Sequence, residues 1–68
     1  MEDNSCKFGA NVRSVRRAKD MTQSDLAKLS SLTVNAIHFI ERDKQMPSVA
    51  TASKIAKALG TTIDELLK

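Results

Sequence analysis

Residues 21–42 read MTQSDLAKLSSLTVNAIHFIER, and two helix starts are written into them. Thr22 supplies a hydroxyl that can accept from a free amide at a helix opening. Asp25, three residues on, places a carboxylate in the positive first turn. Leu26, Ala27 and Leu29 then give an apolar face to a short helix from about Gln23 to Ser30. Ser31-Leu32 makes a tight connection and Thr33 is a second cap. The helix it opens runs to about Arg42. Helical spacing turns Ala36, Ile37 and Ile40 inward and leaves Val34, Asn35, His38, Phe39 and Arg42 at the sides or outside.

The same periodicity extends in both directions. Upstream, Phe8, Val12, Val15 and Ala18 step by four, three and three, which predicts a helix from about Ser5 to Lys19. Gly9 weakens it by roughly 1 kcal/mol relative to alanine. Downstream, Asp43 to Met46 is a polar loop, and Pro47 bars helix continuation. Ser48 caps a helix over Val49–Leu59 with Val49, Ala52, Ile55, Ala56 and Leu59 at core spacing, and Gly60 is its left-handed stop. Thr62-Ile63-Asp64-Glu65 reads as a capping box opening a last short helix whose apolar side is Ile63, Leu66 and Leu67. No run alternates as a strand would. The expected fold is all-α, a compact five-helix bundle forming one domain over residues 1–68, with a helix-turn-helix core at 22–42.

Composition narrows the function. One cysteine excludes an intrachain disulfide and one histidine defeats metal-ligand arithmetic, so no cofactor or metal is implied. Cys6 reads as a reduced thiol near the N-terminus. No apolar run approaches the ~18 residues of a membrane span, and MEDNSCKFG is not a secretory leader. The expected compartment is reducing and cytoplasmic. Eleven basic residues stand against 8 acidic ones, net +3, and they are unevenly placed. Lys7, Arg13, Arg16, Arg17 and Lys19 form an all-positive run, and Lys44, Lys54 and Lys57 another. Such clustering fits a nucleic-acid partner or a solvated basic face.

Met21-Thr22-Gln23-Ser24-Asp25-Leu26-Ala27, then Ile37-His38-Phe39-Ile40-Glu41-Arg42 with Pro47-Ser48, then Lys54-Ile55-Ala56-Lys57-Ala58-Leu59-Gly60 with Ile63-Asp64-Glu65-Leu66-Leu67, stand in that order. The set resembles the Cro/phage-repressor (XRE) helix-turn-helix family over about residues 8–67. The resemblance implies a second helix lying across the DNA backbone and a third entering the major groove N-terminus first. Gln23 then reaches a phosphate, and Thr33, Val34 and Asn35 open the recognition helix. Asn35 can bond an adenine edge, and Val34 can touch a thymine methyl. Phe39 stands where the family is often polar, as a groove contact or as core edge. His38 is a pH-sensitive phosphate contact or an idle exposed histidine. Arg42 and Lys44 suit phosphate, although the helix dipole also explains basic residues there. Arg13 and Arg17, one turn apart, are phosphate contacts or a solvated face, and Lys54 and Lys57 decorate an outer face.

The family pattern further implies a structural salt bridge between Arg16 and Glu41. It also implies a dimer seam at the edge of the fifth helix, with Ile63, Leu66 and Leu67 as candidates; Leu66 and Leu67 can equally pack back on the core. Asp43 replaces the family's usual glycine after Glu-Arg, which tilts the loop and bears on the Lys44 contact. Val34 and Phe39 remove hydrogen-bonding groups from the reading face, shifting specificity towards methyl contacts and DNA shape.

The expected function is a sequence-specific DNA-binding transcriptional regulator. It acts as a weak homodimer on a two-fold operator of double-stranded DNA, with repression by blocking polymerase the simplest mechanism. No small-molecule effector site is evident. The competing reading is a protein–protein adaptor using the same fold, favoured by the apolar Val34 and Phe39. An enzyme is not expected, because no triad, phosphate-cradling loop or metal constellation is present.

Overall fold

The computed structural model describes residues 7–42 and 46–68, and every regular element among them is helical. The helices are α1 (Phe8–Ala18), α2 (Gln23–Ser30), α3 (Val34–Arg42), α4 (Val49–Leu59) and α5 (Ile63–Leu66). All five give side chains to one core. Phe8 and Val12 come from α1, Leu26 from α2, Ile37 from α3, Ile55 and Leu59 from α4, and Leu66 from α5, all fully buried. Each large apolar side chain so buried contributes about 1.5–3 kcal/mol. Asn11 ties the first helix to the last by donating from Nδ2 to the Leu66 carbonyl at 2.8 Å, satisfying an orphan carbonyl at the end of α5.

The caps fix where the helices begin. The Thr22 hydroxyl accepts from the Asp25 amide at 3.0 Å, and the Asp25 carboxylate accepts from the Thr22 amide at 2.9 Å. This reciprocal box fixes the start of α2. Thr33 accepts from the Ala36 amide at 3.0 Å, and Ser48 accepts from the Thr51 amide at 3.2 Å. Among the described residues three take left-handed backbone conformations: Asp20 (φ 57°) after α1, Ser31 (φ 59°) after α2 and Gly60 (φ 71°) after α4. At Gly60 a β-carbon would meet nothing within 4 Å, so its requirement for glycine is conformational, not steric.

Several expectations need correction. α1 begins at Phe8, the first residue the core holds, and Lys7 provides no side-chain cap. Ala18 is exposed, because α1 ends there as the chain turns towards Asp20. Ser5 and Cys6 lie outside the described residues. Leu29 is 64% exposed: Leu26, Ala27 and Ser30 occupy the inward arc of α2, and Leu29 sits roughly 100° round from it. Ser30 is buried in its stead and discharges its hydroxyl on the Leu26 carbonyl at 2.7 Å. Val49 is 74% exposed. It opens α4, and a helical side chain leans towards the N-terminus, so Val49 projects past the end of the core. Ala36 is only half-buried. The box expected at Thr62 is half-made: Thr62 accepts from the Glu65 amide at 3.1 Å, but the Glu65 carboxylate turns to Lys68 Nζ at 3.0 Å.

Candidate nucleic-acid interface

The pairing of α2 and α3 leaves one long face of α3 in solvent. Its inward arc carries Ile37, Ile40 and the buried carboxylate of Glu41. Val34, Asn35, His38, Phe39 and Arg42 are all exposed, with Phe39 at 67%. At 3.6 residues per turn these five span roughly 140° of arc. Along that arc His38 and Arg42 lie on the flank facing α1, and Phe39 lies at the far edge. Thr33 is exposed and already holds the first turn through its cap.

Beneath the α1 flank is a hydrogen-bonded ion pair. Arg16 Nε donates to Glu41 Oε2 at 2.7 Å and Nη2 donates to Oε1 at 3.1 Å. The two side chains are 9% and 3% exposed, respectively. The third arm of the guanidinium, Nη1, donates to the Met21 carbonyl at 2.7 Å, so one arginine braces α1, the turn before α2 and α3 together. Hydrogen bonding to Glu41 raises the Arg16 pKa above its ordinary value, outweighing the opposing effect of burial. A two-pronged fork onto one carboxylate is the geometry in which a buried ion pair recovers its desolvation cost.

Gln23 joins this network, which its position at the start of α2 did not suggest. Its Nε2 donates to Glu41 Oε1 at 3.2 Å. The side-chain amide is thereby oriented at the start of α2. Asp25 sits in that same turn, its carboxyl held below the usual range by the backbone N–H of Thr22 and then by the Thr22 side chain.

Between α1 and α3 lies a cleft of about 360 Å³. Arg13, Arg16 and Arg17 form one wall; Gln23 stands at its end, and His38, Glu41 and Arg42 form the other wall. Arg42 Nη1 lies 3.5 Å from His38 Nε2, one helical turn apart. A shallower hollow of about 450 Å³ adjoins the cleft along α1 and shares Arg13, Arg17 and Glu41 with it. The sequence grouped Arg13 with Arg17. Their facing of His38 and Arg42 depends on the angle between two helices, for which no local pattern codes.

Of the remaining candidates, Asp43 and Lys44 lie outside the described residues. Leu66 is 1% exposed and belongs to the chain's own core, which withdraws it from a dimer seam. Leu67 is exposed and Ile63 half-buried beside it. Among the described residues no group of histidine, cysteine and acidic side chains could hold a metal ion, and no helix is long and apolar enough to cross a membrane.

A capped helix, a left-handed turn and a second helix with an exposed polar-and-apolar face define a helix-turn-helix protein, and the chain belongs to that family, in its Cro/phage-repressor (XRE) branch: the family model "Helix-turn-helix" matches residues 12–66. Among its relatives is the HTH-type transcriptional regulator PuuR of Escherichia coli, 34% identical over 65 residues. That match takes in 96% of this chain but 35% of PuuR, so the chain spans about a third of that relative's length. Among solved structures, the restriction-modification controller protein C.AhdI from Aeromonas hydrophila superposes with a TM-score of 0.82 at 36% identity, covering 90% of this chain and 92% of that one. The DNA-binding domain of the P22 C2 repressor superposes with a TM-score of 0.85 at 29% identity, covering 97% and 87%.

Proposed function

We propose that the chain is a sequence-specific DNA-binding transcriptional regulator, a repressor that binds a two-fold operator as a weak homodimer. The observation that carries this reading is the outer face of α3, where Val34, Asn35, His38, Phe39 and Arg42 are all exposed and none is spent on the core. In the reading, α3 enters the major groove N-terminus first. Asn35 bonds an adenine edge, and Val34 and Phe39 meet thymine methyl groups. Gln23, Thr33, Arg42 and Lys44 contact phosphates, and His38 lies beside them. The Arg16–Glu41 pair holds α3 at its angle to α1 and α2. Leu67 and Ile63 form the seam with a second copy. The kinship with PuuR, a transcriptional regulator, and with the P22 C2 DNA-binding domain supports the assignment.

Selection of the purified chain on a random duplex library at near-physiological salt tests it. The expected result is an enriched motif with two-fold symmetry and half-sites about 34–36 Å apart. Salt-sensitive retention of bulk DNA with no motif would contradict it and favour the adaptor role.

A further inference from the structure

We infer that the cleft between α1 and α3 is a phosphate seat, holding one phosphodiester of the DNA backbone against Arg13 and Arg17 of α1 and Arg42 of α3. The inference rests on the DNA-binding reading and extends it to a helix that the reading leaves as scaffold.

Charge comes first. Among the described residues Glu41 is the one carboxylate lining the cleft, and both its oxygens are engaged, by Arg16 and by Gln23. Arg16 and Glu41 offset each other. Arg13, Arg17 and Arg42 then carry three positive charges with no carboxylate partner among the described residues. Three like charges around one hollow repel one another, and an anion between them relieves that repulsion.

Shape and position agree with charge. The cleft and the hollow beside it share Arg13 and Arg17, so the two arginines border both along α1. Arg42 lies roughly 20° round α3 from Asn35 and about 10 Å along its axis, so the cleft opens on the same side of the helix as the proposed base-reading side chain, two turns away. The floor is fixed in advance, because Arg16 is held on three arms by Glu41 and the Met21 carbonyl. Arginine forks match phosphate oxygens two at a time.

The test is a salt series of fluorescence-anisotropy titrations on the full chain, with the selected duplex and a random duplex, comparing wild type, R13Q/R17Q and N35A. For R13Q/R17Q we expect affinity for both duplexes to fall by a similar factor, on the order of tenfold, and the slope of log K against log salt to fall by about 1. Its preference between the duplexes should stay at the wild-type ratio. Both arginines are exposed, so thermal melting should match wild type; if it does not, R17Q alone gives the same readout with a smaller effect. R13Q/R17Q indistinguishable from wild type, while N35A still changes preference, overturns the seat and leaves the DNA reading intact. Wild type binding neither duplex overturns both. Inorganic phosphate added at matched ionic strength should displace DNA no better than chloride. Displacement specific to phosphate and lost in R13Q/R17Q would overturn the backbone assignment in favour of a free-phosphate site.

Discussion

The two faces of α3 are built from interleaved residues and obey different rules. The inner face holds Ile37, Ile40 and Glu41, and each is fully engaged, two by the core and one by Arg16 and Gln23. The outer face holds Val34, Asn35, His38, Phe39 and Arg42, whose side chains form no hydrogen bond among the described residues beyond the 3.5 Å approach of His38 to Arg42. Inner residues should therefore govern stability, and outer residues should govern what the protein binds. A substitution that crosses this division breaks the comparison.

The largest effect is expected at Glu41. Glu41→Ala strands the buried Arg16 guanidinium and frees Gln23, and should cost about 3–5 kcal/mol, read as a lowered melting temperature. An unchanged melting temperature would show that the ion pair does not hold α3. Ile37→Ala should cost about 2–5 kcal/mol by opening a cavity among fully buried neighbours, as denaturant titration would report. Phe39→Ala sharpens the contrast from the other side. Melting should move by no more than about 0.5 kcal/mol, while DNA affinity falls. Loss of binding to a protein partner with DNA affinity intact would move Phe39 to an adaptor surface.

Smaller effects belong to the entry to α2. Thr22→Ala should cost about 1 kcal/mol. The Asp25 carboxyl titrates below its ordinary value in the folded chain, so the unfolded chain binds the proton more tightly. The stabilisation from the ionised cap is complete above the ordinary carboxylate range and is lost as pH falls through the lowered folded value. Melting followed from about pH 6 to about pH 2 should show this loss in wild type, with Asp25→Asn following a flatter acid limb.

Much of this division was legible in the sequence, and the exceptions share a cause. The limits of α2 and α4, the caps at Thr22, Thr33 and Ser48, and the left-handed Gly60 follow from local chemistry that operates within four residues. The outward five of α3 follow from its period. Helical spacing places Leu29 on the apolar face of α2 and Val49 at core spacing in α4. The structure exposes both, since inwardness depends on where a neighbouring helix ends and not on side-chain type. Ser30 shows the converse: a polar residue is tolerated inside because it can satisfy its own hydroxyl one turn back. The bond from Gln23 to Glu41 and the meeting of Arg13 and Arg17 with α3 are interhelical, separated by 18 residues or more in the chain, and no spacing rule reaches them.

The central claim is that the outer face of α3 reads base sequence while the inner face holds the fold. Repeating the duplex selection with Asn35→Ala beside wild type, and melting both, tests it most directly. The account predicts a motif relaxed at one base position in each half-site, a loss of about 1–3 kcal/mol of discrimination there, and an unchanged melting temperature. A wild-type motif retained in full by Asn35→Ala would contradict it.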